Sequence, residues 1–451
     1  MRSIAFIPLL VLLLLPPLFL ATLAESSTAQ PGLGPAPSKA EYRRLADAME
    51  ANLQAHVLSK WFPAALGAAH GGFYQNYRED WTPDPRENRS LVYQSRLTWL
   101  AAAVAKRYPA KAKAYKGYSL HGLEFLDSRL WDTQHGGLYW SLDGNGAPLR
   151  GGEKHAYGIA FALYAAAACS QATKDARALS LAKRAYTWLD DHAHDKEHGG
   201  YYEALAPDGS PILTAPGGAA QSDFIGTRYG LKSMNAHIHL LEALTGLYGV
   251  WPTPTVRGRL QEVFGLVRDR IAVAPGFLHL YFTQDWRPVP DHDSFGHDLE
   301  TAYLLVEAST ALGRPEDTGT WRIARQLVDH ALQVGEDKDY GGFYDSGSVT
   351  GPPLMTDKIW WTQAEGLNAL ALMHRRYGKE TSRYWEALLR QWQFIKTHQV
   401  DANHGGWHPT VHRDGTVPPG RAKSDEWTEC YHQGRALLTV SAALRALASG
   451  K

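Results

Sequence analysis

Alanine- and leucine-rich stretches with apolar residues three and four apart alternate along this chain with short glycine turns. Leu97-Thr98-Trp99-Leu100-Ala101-Ala102-Ala103-Val104 and Ile159-Ala160-Phe161-Ala162-Leu163-Tyr164-Ala165-Ala166 are examples, and their spacing predicts helices. The turns are copies of one pattern: His70-Gly71-Gly72-Phe73-Tyr74, His135-Gly136-Gly137-Leu138-Tyr139-Trp140, His198-Gly199-Gly200-Tyr201-Tyr202, a degenerate Pro275-Gly276-Phe277-Leu278, Tyr340-Gly341-Gly342-Phe343-Tyr344 and His404-Gly405-Gly406-Trp407. From the first glycine of each (71, 136, 199, 276, 341, 405) the steps are 65, 63, 77, 65 and 64 residues. Such a period marks a repeated unit too small to bury its own apolar face, so the copies must pack on one another. The glycine pair permits a tight turn with positive φ, and the large residue after it plugs the turn against the core.

A step of this length holds two helices and their loops. Six steps predict twelve helices and an all-α fold. Its natural closed form is an (α/α)6 barrel, a toroid of six inner and six outer helices; an open superhelix is the alternative. The wide 77-residue step predicts an inserted loop in the middle of the ring.

After each turn comes a helix with a polar or aromatic head and an apolar body. The heads are Gln94-Ser95-Arg96, His155-Ala156-Tyr157, Asn235-Ala236-His237-Ile238-His239, Gly296-His297-Asp298-Leu299-Glu300, Trp360-Trp361-Thr362-Gln363-Ala364-Glu365 and Tyr431-His432-Gln433-Gly434-Arg435. Equivalent positions of a ring lie at one end of it, so these heads are expected to line one mouth. His239 with Glu242, His297 with Glu300 and His432 with Arg435 are i, i+3 pairs, and Trp361 with Glu365 is i, i+4, so each pair shares a helix face. An imidazole both takes and gives a proton near neutral pH. Two of them on opposite sides of a substrate carbon can remove a proton from one face and return it to the other. Arg96 can hold a carbonyl or enediolate oxygen, and Trp361 and Trp427 can stack on a pyranose. No added cofactor is required. The structural readings are that His155 and His237 only complete a helix start, that Arg96 is an ion-pair partner and that the tryptophans are core. His237 and His239, two apart, point to different faces, which argues against a shared metal. His70, His135, His198 and His404 read as turn or surface residues.

The 46 basic and 46 acidic side chains cancel, so nothing points to nucleic acid as a partner. The 15 Trp and 22 Tyr suit sugar binding as well as they suit a large core. Cys169 and Cys430 form no disulfide framework and read as buried thiols. Arg2 followed by an apolar run from Ile4 to Leu23, with Thr22-Leu23-Ala24 before Glu25, reads as a signal peptide over 1–24, with a retained membrane anchor as the alternative. Residues 25–39 read as a flexible leader and 40–451 as one catalytic domain, exported to the periplasm or secreted, with no stable membrane insertion after cleavage.

On these residues the chain resembles the N-acylglucosamine 2-epimerase family, and within it the cellobiose 2-epimerase branch, over about residues 40–448. The motifs are Gly199 to Leu205, Asn235 to Ala243, Gly296-His297-Asp298-Leu299-Glu300-Thr301, Gly341 to Asp345, Lys358 to Glu365 and Tyr431-His432-Gln433-Gly434-Arg435-Ala436. The resemblance implies metal-free epimerisation at C2 of a reducing sugar through an enediolate. It assigns His297 and His432 as the acid/base pair, His239 as the ring-opening or O-proton helper and Arg96 as the oxygen holder. Glu300, Trp361, Glu365, Trp427, Tyr303, Tyr157 and His237 are the expected substrate contacts. Tyr303 stands where the cellobiose-active branch usually carries Trp, which puts the stacking of a second sugar unit in question. The expected partner is a small mono- or disaccharide, and the expected state a monomer or homodimer. An aldose–ketose isomerase of the mannose–fructose kind is the near alternative. A glycoside hydrolase using Glu300 and Glu365, and a sugar-binding protein without turnover, are the more distant ones.

Overall fold

The computed structural model describes residues 36–450 apart from 68–69 and 218–220. The expected signal peptide, and the leader up to residue 35, lie outside the described residues. Among the described residues twelve long helices follow one another: α1 (Lys39–Asn52), α2 (Leu91–Arg107), α3 (Ala112–Phe125), α4 (Ala156–Thr173), α5 (Ala176–Trp188), α6 (Met234–Tyr248), α7 (Pro254–Leu266), α8 (Phe295–Ala311), α9 (Thr318–His330), α10 (Trp360–Tyr377), α11 (Arg383–Phe394) and α12 (Tyr431–Ala448). The even-numbered helices pack side by side, and α12 packs on α2, closing the ring. Outside them α3, α5, α7, α9 and α11 each cover the preceding inner helix, and α1 covers α12. The closure rules out the open superhelix. Among the described residues no helix is long and apolar enough to cross a membrane.

The two layers differ as their positions require. Helix α4 is alanine-rich and buried on nearly every side, from Ala156 to Ala172, because it lies between ring neighbours and an outer helix. The outer helices are amphipathic: α11 buries Trp385, Leu388 and Trp392 and leaves its charged face to solvent. Side-chain caps start several helices, with Ser90, Ser233 and Thr253 each accepting a backbone N–H three residues on.

Every outer helix ends in a widened π-type turn: Leu53–Leu58, Leu126–Leu130, Leu189–Ala193, Val267–Ile271, Ala331–Gly335 and Ile395–Gln399. Each then enters a glycine hairpin. The paired glycines of the five full copies have φ between +64° and +79°. At Gly200 a Cβ would lie 2.4 Å from the Trp286 ring and 2.8 Å from His237, so the turn excludes a side chain as well as favouring its backbone angle. Phe73, Leu138, Tyr201, Phe343 and Trp407 plug these hairpins and are buried, as expected. The turn histidines His70, His135, His198 and His404 are exposed, and both cysteines are buried and unpaired.

Behind four hairpins lies a buried ion pair that no periodicity announces. Lys154 meets Asp132 (2.7 Å), Lys232 meets Asp195 (2.7 Å), Lys358 meets Asp337 (3.0 Å) and Lys423 meets Asp401 (2.6 Å). Each aspartate also accepts two N–H groups of its own turn; for Asp195 these are Glu197 and His198. Burial alone would raise the Asp195 carboxyl, but Lys232 and the two amides outweigh it and hold it at about 2. Two-residue strands stitch the units together at the inner-helix heads. Arg89–Ser90 pairs with Ser141–Leu142, Lys154–His155 with Ala204–Leu205, Lys232–Ser233 with Tyr281–Phe282, Asp293–Ser294 with Ser346–Gly347 and Lys358–Ile359 with Thr410–Val411. Tyr77 bridges to Ser424 and completes the circle. The expected insertion is the segment 206–231, between Leu205 and Lys232, and it carries Phe224 and Ile225 to the mouth.

Replacing Lys232 by Met leaves Asp195 buried without its partner and is expected to cost about 3–5 kcal/mol. The exposed Lys196→Met in the same hairpin serves as control and is expected to change little. Chemical denaturation of the two variants checks this, and equal effects would contradict the role given to the buried pair.

Candidate active site

The inner helices start in register, so equal places along them form layers. Second residues make an upper layer: Val92, Tyr157, Asn235, Gly296, Trp361 and His432. Sixth residues, one turn lower on the same face, make a floor: Arg96, Phe161, His239, Glu300, Glu365 and Ala436. Ninth residues form a third layer: Trp99, Tyr164, Glu242, Tyr303, Asn368 and Thr439. The first two layers enclose a cavity of about 380 Å3, lined by Arg96, Tyr157, Asn235, His239, His297, Glu300, Trp361 and His432. Trp360, Trp427, Phe224 and Ile225 form its rim. At Gly296 a Cβ would lie 2.4 Å from the Trp361 indole, so this glycine lets the ring lie over the head of α8. Trp361 then packs between His297 (4.7 Å between ring centres) and His432 (5.7 Å).

Each of the three cavity histidines has its Nδ1 engaged. His239 Nδ1 lies 3.1 Å from Glu242, His297 Nδ1 2.7 Å from the Ser294 hydroxyl and His432 Nδ1 2.7 Å from Glu365. None of the three Nε2 atoms is hydrogen-bonded to a described residue, so Nε2 is the free nitrogen in all three. Burial holds the His297 pKa down at about 4, against the pull of Glu300. Burial, then the Arg96 and Arg435 charges, push His432 well below the ordinary imidazole range, although Glu300 opposes them. Both rings are therefore neutral at neutral pH. With Nδ1–H donated to Glu365, His432 keeps a lone pair on Nε2.

Arg435 lies under the cavity with no solvent exposure and binds Glu242, Glu300 and Glu365, each from a different inner helix. Burial would raise the Glu242 carboxyl, yet Arg435 and His239 hold it at about 2. Arg96 is gripped at both ends of its guanidinium, by Glu429 (3.0 Å) and by the Tyr157 hydroxyl (3.1 Å), and its plane lies over the Phe161 ring. Four polar atoms of residues around the cavity lack a hydrogen-bond partner among the described residues: Arg96 Nε, Asn235 Oδ1, Glu300 Oε2 and Trp360 Nε1. At the rim Trp140 stacks on Phe224 at 4.6 Å, beside Trp427, which is 37% exposed.

Of the residues singled out in the sequence, His297, His432, His239, Arg96, Glu300, Trp361, Trp427 and Tyr157 line this one cavity. Glu365 lies beneath it, bonded to His432 and Arg435. Two are elsewhere. His237 is a hairpin latch: its Nε2 accepts the Tyr201 N–H (3.0 Å) and its Nδ1 is bonded to the Ser233 carbonyl (2.7 Å). Gln94 and Gln363 hold Phe73 and Phe343 in the same way from the same fourth place in their helices. Tyr303, in the ninth layer, bonds Glu307 (2.7 Å) and faces a larger cavity of about 590 Å3 at the far end of the ring. It lies seven residues, roughly 10 Å of helix, below the upper layer. It therefore lies outside the histidine cavity. The far cavity contains no histidine. The i, i+3 pairing holds for His239 and Glu242, whereas His432 is oriented by Glu365 of α10, and Glu300 bonds Arg435. Sequence reasoning did not single out Asn235, Trp360, Phe224, Ile225 or Glu429 as site residues. The register of second residues points to Asn235; the two insertion residues and Glu429 have no periodic signal.

The profile described as N-acylglucosamine 2-epimerase (GlcNAc 2-epimerase) matches residues 72–436. The chain is 30% identical to the cellobiose 2-epimerase of Bacteroides fragilis over 388 residues, covering 86% of this chain and 96% of that one. It is 25% identical to the D-mannose isomerase of Marinomonas mediterranea over 405 residues, covering 84% and 95%. The structure of cellobiose 2-epimerase from Spirochaeta thermophila superposes with a TM-score of 0.79 at 31% identity, over 90% of this chain and 98% of that one. The chain belongs to the N-acylglucosamine 2-epimerase family.

Proposed function

We propose that the protein is a carbohydrate 2-epimerase that inverts C2 of a reducing mono- or disaccharide by moving a proton between imidazoles, without a cofactor. The observation that carries this reading is the shared orientation of the three cavity histidines, each with Nδ1 engaged and Nε2 free. Neutral Nε2 of His297 or His432 takes the C2 proton of the open-chain sugar. The electron pair moves into the C1–C2 bond to give an enediolate, whose oxygen charge Arg96 offsets from its fixed place beside Tyr157 and Glu429. The other imidazole takes up a proton from solvent and delivers it to the opposite face of C2, while the first releases its proton to solvent, so both rings end neutral as they began. His239, held by Glu242, serves the sugar hydroxyls during ring opening and closure. Trp361 and Trp427 offer stacking faces, and the open rim near Trp140 and Phe224 leaves room for a second sugar unit. The apolar N-terminal segment supports export, so the sugar would be met outside the cytoplasm.

The likeness to D-mannose isomerases favours one second reading, in which the proton returns to C1 and a ketose results. A hydrolase reading is disfavoured because Glu365 lies beneath the cavity, bonded to His432 and Arg435, which leaves Glu300 without the second carboxylate needed to flank a glycosidic bond. Incubation with cellobiose, mannose, glucose and N-acetylglucosamine, followed by sugar chromatography, separates the outcomes. An epimer at C2 is expected, a ketose would establish the isomerase, and shortened saccharides would overturn both.

Replacing His432 by Asn is expected to lower kcat by roughly 10²–10⁴-fold in a protein with unchanged circular dichroism. Retained turnover in a folded variant would contradict the role of His432. The acid limb of kcat/KM is expected well below pH 6.5, because the His432 pKa is lowered and the ring must be protonated before the base is lost. Activity is therefore retained at pH 6. A limb centred at 6.5 or above in the pH profile would contradict a desolvated base.

A further inference from the structure

The fourth unit departs from its sisters at three places, and the departures meet behind the head of α8. Four residues before the turn glycine, four of the other five hairpins place Asp132, Asp195, Asp337 or Asp401 against a lysine; here Ala272 stands there, as Gly67 does in the first unit. Two residues before the inner helix four other units carry Arg89, Lys154, Lys232 or Lys358; here the residue is Asp293, and the sixth unit has Glu429, which Arg96 pairs. In the fourth place of the helix, where Gln94, His237 and Gln363 latch their hairpins, stands Asp298. The fourth unit thus replaces a basic residue with an acid and adds a second acid beside it.

The third member is His330, at the end of α9. Its Nδ1 lies 3.5 Å from Asp293 Oδ2 and 4.0 Å from Asp298 Oδ2. The candidate donor atoms of the three residues all fall within 4.8 Å of one another. His330 Nε2 lies 2.7 Å from the Val349 carbonyl. That bond requires the proton on Nε2, so in the neutral ring Nδ1 presents a lone pair to the carboxylates. Asp293 and Asp298 are fully buried and His330 is 6% exposed. Both oxygens of each aspartate and Nδ1 of the histidine lack a hydrogen-bond partner. Burial, and for Asp298 the neighbouring Asp293, raises both carboxyls above the usual carboxylate range, and the nearby amides of Leu278 and Ser294 oppose this only weakly. The other buried cluster outside the sugar cavity differs: His155 bonds Asp223 (3.0 Å), Asp223 takes the Ile225 and Thr227 amides, and Glu203 takes Ser233.

We propose that Asp293, Asp298 and His330 bind a divalent transition-metal cation of the zinc class, which fastens the head of α8 to α9. Two adjacent buried carboxyls without a counter-charge are costly, and a cation replaces the ammonium that Lys154, Lys232 and Lys358 supply in three sister units. One nitrogen and two carboxylate donors suit Zn2+, whereas Ca2+ takes six to eight oxygens. Tetrahedral bonds of about 2.0–2.1 Å place ligands roughly 3.4 Å apart, so the observed 3.5 and 4.0 Å need contract by about 0.1 and 0.6 Å. The site lies on the side of α8 away from the sugar. Ser294, beside Asp293, holds His297, so the cation would steady that histidine without touching substrate.

The test uses the full purified protein and reads metal content and thermal midpoint, neither of which depends on the catalytic reading. After dialysis against micromolar Zn2+ and removal of loosely bound ion, about one zinc per chain is expected. A strong chelator should lower the melting midpoint by several degrees, with recovery on adding Zn2+. His330→Gln should lose the bound zinc and the zinc-dependent shift. Asp293→Lys, which restores the residue type of the sister units, should fold with a midpoint indifferent to zinc. Three results would overturn the proposal: no retained metal and no zinc-dependent shift in the unaltered protein, zinc retained equally by His330→Gln, or a response to Ca2+ with none to Zn2+. The first of these would assign the two aspartates to a shared-proton pair instead.

Discussion

One buried guanidinium organises the centre of this ring. Arg435 has no contact with solvent and binds Glu242, Glu300 and Glu365, which come from three neighbouring inner helices. Three carboxylates at this depth would be strongly destabilising without it. Two of them carry a second task, since Glu242 holds His239 and Glu365 holds His432. The same charge that makes the floor of the barrel tolerable therefore sets which nitrogen of two imidazoles faces the cavity. Stability and chemistry are coupled at this residue, and a change there would disturb both at once.

The register of the inner helices does the rest. Because all six begin at the same height, the second and sixth residues of each fall on two rings, and the cavity lies between them. Its walls are divided by function. The α2–α4 side supplies Arg96 and Tyr157, the α6, α8 and α12 heads supply imidazoles, and α10 supplies the indole between two of them. The insertion between Leu205 and Lys232 brings apolar surface to the rim of this face. The hairpin ion pairs and the short inter-unit strands keep these heads level, so the repeated scaffold is what positions residues that differ from unit to unit.

Much of this was legible in the chain. The glycine turns announced the number of units, and the helix heads announced the end at which polar groups gather. Reading stopped where the third dimension selects among side chains of one helix. His237 and His239 look equivalent in sequence, yet one is turned to a hairpin amide and the other to the cavity, two residues being more than half a turn. Tyr303 follows Glu300 by three residues and shares its face, but three residues of rise carry it to the layer below. Glu365 was read with its helix neighbour Trp361, whereas its partner is His432 across a helix boundary. The Lys–Asp pairs have no sequence signal because their members lie 21 to 37 residues apart and neither has a periodic signature. The same spacing hides the fourth unit's reversal from Lys to Asp293 until the units are laid over one another.

The central claim is that imidazoles exchange a proton with C2 of a sugar. Running the reaction in D2O and locating the label by mass spectrometry and proton NMR tests it most directly. The account predicts one deuterium at C2 of the recovered epimer, and none when His432 is Asn. An epimer formed with its original C2 hydrogen in place, or labelled equally by the His432→Asn protein, would contradict it.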